Sequence, residues 1–217
     1  MDLQWLRRLV RQGEGQHLEF KRKLHHPDKI AKEMVAFANT EGGGILLIGV
    51  DDDGTIYGIK NAEGIAYTFE AFLKAHCRPP LPYQLHYISV DAKRNVLVFD
   101  VAEGKRKPYF SLEEDRKLAH VRVKDMSVKA SKELVKLLRY HNRPKGVNFE
   151  YGDPERKLLQ YLEEAPSATL EEVQKLLALP RRITSAKLIT LVRAGLLHLQ
   201  PTERGDRFSL VEEAFQR

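Results

Sequence analysis

Apolar positions recur along this chain with two different periods. Residues 3–11 place Leu3, Leu6, Leu9 and Val10 at helical spacing and predict a short opening helix. Gly13-Glu14-Gly15 interrupts it. His17-Leu18-Glu19-Phe20-Lys21 then alternates as a half-buried strand does, with Leu18 and Phe20 facing the core and Glu19 and Lys21 facing away. Pro27-Asp28 opens a second helix with the stripe Ile30, Met34, Val35, Phe37 and Ala38, ended by Asn39. Gly42-Gly43-Gly44 turns the chain into Ile45-Leu46-Leu47-Ile48, an apolar run without alternation. Such a run suits a strand covered on both faces, in the middle of a sheet. Asp51-Asp52-Asp53-Gly54 forms the turn at its end, and Thr55–Ile59 reads as a return strand.

Asn61–Cys77 carries Ile65, Phe69, Phe72 and Leu73 as another helix, stopped by Arg78-Pro79-Pro80-Leu81-Pro82. Tyr83–Val90 and Asn95–Val101 alternate as two strands of a hairpin. Lys105–Phe110 is a basic loop, His120–Lys124 a short strand with Val121 and Val123 inward, and Ala130–Tyr140 a helix capped near Ser127. A linker is expected from Asn142 to Pro154. Beyond it, Glu155–Glu163 is a helix and Thr169 opens a second, with Glu172 completing a capping box. Pro180 starts a third, Arg181–Ala194, closed by Gly195, and Leu196–Leu199 with Arg207–Val211 make a hairpin.

The predicted fold class is α+β. A mixed, mostly antiparallel sheet with packed helices fills residues 1–145, and a small winged-helix domain fills 146–217. No apolar run has the roughly 18 to 20 residues a membrane span needs, and no signal-peptide pattern opens the chain. Cys77 is the single cysteine, which excludes an internal disulfide framework and points to a cytoplasmic setting without a membrane. The formal charge is +6. Its location changes the picture more than its size: residues 104–145 hold thirteen Lys/Arg against five Asp/Glu, whereas residues 151–217 are balanced at ten of each. A polyanion-binding face is therefore expected from the middle of the chain.

Five stretches together resemble one known family. They are Glu14 with Leu18-Glu19-Phe20-Lys21, Ala36-Phe37-Ala38-Asn39-Thr40-Glu41-Gly42-Gly43, and Leu47-Ile48-Gly49-Val50-Asp51-Asp52 with Gly54 and Gly58. Lys107-Pro108-Tyr109, and Val121-Arg122-Val123 with Ala130-Ser131, complete the set. Over roughly residues 10 to 140 the chain resembles the Schlafen AlbA-like domain, once catalogued in bacteria as a "divergent AAA" domain. The resemblance implies an α+β domain that is often joined to a C-terminal helix-turn-helix in transcriptional regulators. One branch of the family is a metal-dependent RNA endonuclease. Carried over by motif, its catalytic carboxylates would be Glu14, Glu19 and Asp51, with Asp52 as rival for the third position, holding Mg²⁺ or Mn²⁺. Gly15 departs from the serine common at that position.

Chemistry sets conditions on each candidate. Three carboxylates suit hard divalent cations and in-line phosphodiester attack. Glu14 and Glu19 lie five positions apart, so on one continuous strand they would face opposite sides. They converge only if Gly13-Glu14-Gly15 turns the chain. The opposing reading pairs Glu19 with a lysine and leaves the aspartates as a plain turn. Gly42-Gly43-Gly44 precedes a strand and no Gly-Lys-Ser/Thr follows, so no P-loop supports ATP binding. Lys105, Arg106, Lys107, Arg122, Lys124 and Lys129 are candidates for a phosphate-lined groove, with Tyr109 or Phe110 for stacking. In the tail, Ala178–Thr202 has no acidic residue. Arg181, Arg182, Thr184, Ser185 and Lys187 fall in the first turns of the third helix, and Arg204 and Arg207 on the wing.

The first expectation is thus a nucleic-acid-binding protein of the DNA-binding transcriptional regulator type. The alternative is a divalent-metal-dependent endoribonuclease acting on structured RNA. A third reading is a winged helix that only dimerises. Duplex DNA, structured RNA or a second copy of the chain are the corresponding partners.

Overall fold

The computed structural model describes residues 1–114, 116–141 and 147–211. The chain is α+β and divides into two compact units, Met1–Lys129 and Ala130–Arg217. The predicted linker falls partly on residues 142–146, outside the described residues.

In the first unit, α1 (Leu3–Val10) starts on Asp2, whose side chain accepts a hydrogen bond from the Trp5 amide. β1 (Leu18–Lys21) follows, then α2 (Pro27–Asn39), with Pro27 where a helix loses nothing by lacking an N–H. β2 (Gly44–Ile48) runs parallel to β1, so α2 is the crossover between them. α3 (Ala62–His76) and the two-residue β3 (Cys77–Arg78) lead to the hairpin of β4 (Tyr83–Asp91) and β5 (Arg94–Val101). The sheet order is β1-β2-β5-β4, antiparallel except for the first pair.

Each face of this sheet has its own cover, which is why β2 shows no polar alternation. Leu46 and Ile48 of β2, with Leu97 and Phe99 of β5, pack under α2 and α3. Leu47, with Leu18, Phe20, Val96 and Val98, packs against Leu6 and Val10 of α1. α2 lies unusually close to the sheet: a Cβ on Gly44 would stand 2.2 Å from Cδ1 of Phe37.

β6 (Phe110–Glu113) and β7 (Arg116–Leu118) join β3 in a three-stranded sheet. β8 (His120–Val123) and β9 (Met126–Lys129) form a hairpin, and β8 lies against α2. Asn39, at the end of α2, fastens these later strands. Its Nδ2 donates to the carbonyls of Tyr109 and His120, and its Oδ1 accepts from the Tyr109 amide. Thr40 continues the seam by accepting from the Arg122 amide at 3.0 Å.

Four local expectations are corrected. Glu19 is buried, because the face of β1 opposite Leu18 and Phe20 is covered as well. Thr55–Ile59 makes only the bridges Val50–Ile56 and Ile59–Asn95. The Tyr57 and Gly58 amides both donate to the Gly49 carbonyl, which interrupts a ladder. Ser127 lies in β9, and the helix cap is Ser131, whose hydroxyl accepts from the Leu134 amide. The β6–β7 hairpin was not anticipated.

The second unit opens with α4 (Lys132–Leu138). α5 (Asp153–Glu164), α6 (Leu170–Leu177) and α7 (Arg181–Arg193) precede a hairpin of β10 (Leu197–Gln200) and β11 (Arg207–Leu210). Thr169 and Glu172 form the reciprocal cap at the start of α6. Leu158, Leu162, Val173, Leu188, Leu191 and Phe208 make this unit's own core. Among the described residues no helix is long and apolar enough to cross a membrane.

Candidate nucleic-acid interface and carboxylate cluster

The turn at Gly13-Glu14-Gly15 does reverse the chain. Gly13 adopts φ +74°, a conformation open to glycine, and Gly15 and Leu18 exchange backbone hydrogen bonds. Glu14 is thereby folded back onto β1, where its Oε1 accepts from the Phe20 amide at 2.7 Å. Burial pushes the Glu14 carboxyl above its usual range, the Phe20 amide opposes this, and the charges of Glu19 and Asp52 push further up. Glu14 is therefore in electrostatic reach of both Glu19 and Asp52. Asp51 faces another partner: its Oδ2 accepts from Arg22 Nη1 at 3.1 Å.

Glu19 is held by two cations. One oxygen accepts from Lys21 Nζ and the other from Arg122 Nη2 at 2.9 Å. The alternation of β1 places Glu19 on the side of α2, since it is in register with Leu46, which lies under α2. Arg122 also donates to Glu33 Oε2 at 2.5 Å, to Ser127 Oγ at 3.3 Å and to the Gly15 carbonyl at 2.8 Å. Burial raises the Glu33 carboxyl above its ordinary value, against the pull of the Ser127 hydroxyl, while the Glu19 charge raises it further and Arg122 opposes. Sequence reasoning missed Glu33. The signal was present: it sits between Ile30 and Phe37 on the apolar stripe of α2, where a carboxylate needs a buried partner.

Among the described residues, no three His, Cys, Asp or Glu side chains converge as a metal-ion ligand set. Both Glu19 oxygens are engaged by cations and Asp51 is engaged by Arg22. As arranged, the residues do not fit a divalent ion, and Glu19 would be released to one only if Lys21 and Arg122 moved away.

The basic candidates separate by exposure. Arg122 is sequestered with a side chain at 0% exposure, so it anchors the core and lines no surface groove. Lys107 is similarly withdrawn, its side chain at 3% exposure and its Nζ donating to Glu103 at 2.7 Å. Tyr109 is buried and unavailable for stacking, and Phe110 is half-buried. Lys105, Arg106, Lys124 and Lys129 are exposed.

On α7, Arg181, Arg182, Ile183 and Ala186 face water, whereas Thr184 and Ser185 are buried. Ser185 donates to Glu133 of α4 at 2.6 Å. Arg181 pairs with Glu171 across an exposed contact. Lys187 Nζ donates to Glu155 Oε1 at 2.5 Å, and the Glu155 carboxyl is held below its usual range despite burial, which acts upward. Arg207 is turned toward Ser167, donating to its hydroxyl and carbonyl. Arg204 is exposed. Arg182 therefore keeps its guanidinium outward while Lys187 and Arg207 serve local structure.

No curated protein matches the chain. The crystal structure of the DIP2311 protein from Corynebacterium diphtheriae is similar to it at 17% sequence identity and a TM-score of 0.47, over 88% of this chain and 34% of that one. This chain thus spans about a third of that protein's length. The family model described as Schlafen, AlbA_2 matches residues 14–131, from the Glu14 turn to the Ser131 cap and more than half of the 217 residues. With the folded-back Glu14, the Asn39 seam and the doubly covered β2 all inside that match, the chain belongs to the Schlafen AlbA_2 family.

Proposed function

We propose that this chain is a nucleic-acid-binding protein acting as a DNA-binding transcriptional regulator, with α5 to β11 as a winged helix. One observation carries the reading. The first turns of α7 present Arg181, Arg182, Ile183 and Ala186 to solvent while Thr184, Ser185 and Leu188 hold the helix to its core. A helix offered this way after a short turn from α6, with a hairpin beside it in sequence, suits insertion into a major groove. The family is nucleic-acid-associated, and the exposed Lys105, Arg106, Lys124 and Lys129 supply the electrostatic part of the reading. Fluorescence anisotropy of the full chain on mixed-sequence duplex DNA and on transfer RNA, across a salt series, tests it. Duplex binding that weakens with salt, and by about tenfold or more in Arg182→Glu, is expected. A chain that only self-associates and retains neither nucleic acid overturns it.

The second reading is an endoribonuclease on structured RNA. The Glu14 carboxyl, folded back onto β1 and raised by burial with the charges of Glu19 and Asp52 nearby, favours it, because a perturbed carboxyl beside others marks a candidate reactive site. Incubation of labelled transfer RNA with and without Mn²⁺, beside Glu19→Gln, separates the two. Metal-dependent cleavage by the unaltered chain alone would put the enzyme first; intact RNA in every lane removes this reading.

A further inference from the structure

The first unit contains a cavity of about 470 Å³, lined in part by Arg22, the partner of Asp51. Its walls come from four segments, one of them α3 through Ile65. Arg22, Lys23 and Leu24 follow β1, Tyr57, Ile59 and Lys60 precede α3, and Arg94 begins β5. Leu24, Ile59 and Ile65 are its apolar residues, overlooked by four cationic side chains. Leu24 and Ile65 also border a second cavity of about 610 Å³, lined by Tyr67, Phe69 and Phe72 and by no cation. The two cavities adjoin at Leu24 and Ile65, which line both, so the groove they border changes from cationic to aromatic lining there. Tyr67, at 77% exposure, holds an apolar ring in water at the aromatic end.

The cations differ in how they are held. Arg22 lies 4.2 Å over the Tyr57 ring and pairs with Asp51 at 3.1 Å, and Arg94 pairs with Asp91 at 2.6 Å. Lys23 and Lys60 are exposed, and among the described residues neither has a carboxylate partner. Two positive charges are thus left unneutralised beside two guanidiniums of fixed direction. A concave site of this size, largely apolar with a few convergent polar groups, is the usual form of a small-molecule site.

We infer that this groove binds a nucleoside phosphate. The phosphate lies between Lys23, Lys60 and Arg94, where charge-assisted hydrogen bonds to an anion are strong. The base lies across Leu24 and Ile65 toward the exposed ring of Tyr67, because a flat ring gains stacking on an aromatic side chain that a phosphate alone does not. The same chemistry is offered by a free nucleotide and by the phosphorylated end of a nucleic-acid strand. The inference does not rest on the duplex-binding reading, since none of its residues lies on α7.

Isothermal titration calorimetry of the full chain tests it, using the four ribonucleoside 5′-monophosphates, the matching nucleosides, inorganic phosphate and a 5′-phosphorylated tetranucleotide. At least one mononucleotide or the tetranucleotide is expected to bind once per chain with Kd below about 1 mM. Nucleoside and inorganic phosphate should each bind about tenfold more weakly or not at all. Lys23→Glu with Lys60→Glu should weaken binding by about tenfold or more without moving the thermal midpoint, and Tyr67→Ala should weaken it independently. A tetranucleotide that binds tighter than its mononucleotides assigns the site to strand ends, and the reverse order assigns it to free nucleotide. The inference is overturned if nothing binds below that limit, if the lysine reversal leaves binding unchanged, or if inorganic phosphate binds as tightly as the nucleotides. Arg182→Glu serves as the control, because it should weaken duplex binding by about tenfold or more and leave this titration unaltered.

Discussion

Arg122 donates to Glu19 at 2.9 Å across 103 positions of sequence, with both side chains out of water. The same guanidinium holds Glu33 and the Gly15 carbonyl, so one side chain joins β8, β1, α2 and the Glu14 turn. Replacing Arg122 by Met would leave Glu33 without its cation and Glu19 with Lys21 alone. Urea unfolding should show a loss of about 3–5 kcal/mol. Adding Glu19→Gln and Glu33→Gln to that variant should recover part of the loss, since the cost is the uncompensated charge. An Arg122→Met chain as stable as the original would mean the network contributes nothing.

Asn39 makes three buried hydrogen bonds to the backbone of Tyr109 and His120. In Asn39→Ala those backbone groups stay buried without partners, and a destabilisation of about 2–4 kcal/mol is expected. Hydrogen exchange should speed up first in β6 and β8. Uniform acceleration over the whole unit would argue against a local fastening role.

Asp206 illustrates a pH dependence with a definite sign. Burial raises its carboxyl above the ordinary aspartate range, the Ser131 hydroxyl opposes this, and the Glu133 charge adds to the rise. The folded chain therefore keeps the proton to higher pH than the unfolded chain does. Its contribution to stability is complete below the unfolded value and is lost as pH rises through the folded one. Thermal midpoints measured upward from about pH 3.5 should fall through this window more in the original chain than in Asp206→Asn. Parallel midpoint curves would sink the assignment.

Arg182 and Lys187 lie five positions apart on α7 and should separate binding from stability. Arg182 is exposed, so Arg182→Ala should change stability by no more than about 0.5 kcal/mol while weakening duplex binding. Lys187 neutralises the buried Glu155, so Lys187→Ala should cost about 1–3 kcal/mol and leave the intrinsic binding of the folded chain nearly intact. Denaturant curves and anisotropy on the same preparations check both halves.

The helices and the central strand were legible because their signals are local. The stripe of α2, the Thr169–Glu172 cap and the unalternating β2 each depend on neighbours within a few residues. The family motif named Glu14, Glu19 and Asp51 together, but Asp51 pairs with Arg22 instead of joining the other two. What sequence could not reveal was pairing over long separations. Alternation placed Glu19 in water because it says nothing of a second layer, and β8 supplies that layer from Arg122, far along the chain. Counting basic residues likewise treated Arg122 and Lys107 as surface charge, although Glu19, Glu33 and Glu103 had already claimed them. The β6–β7 hairpin was missed because Phe110 to Leu118 is short and mostly polar, and it pairs with the two-residue β3.

The closeness of Gly44 to Phe37 has an electrical consequence. Nothing but hydrogen occupies that position on β2, and the first carbon of any side chain would fall 2.2 Å from Phe37 Cδ1. A larger residue would have to push the ring, and α2 with it, away from the sheet. Glu33 rides on the same helix one turn earlier, whereas the Arg122 head is also tied to Gly15 and Glu19 beside β1. Their 2.5 Å contact would open, and a half-buried carboxylate would lose its counterion through a clash between uncharged atoms. In this protein the width of one gap between helix and strand sets whether one ion pair closes.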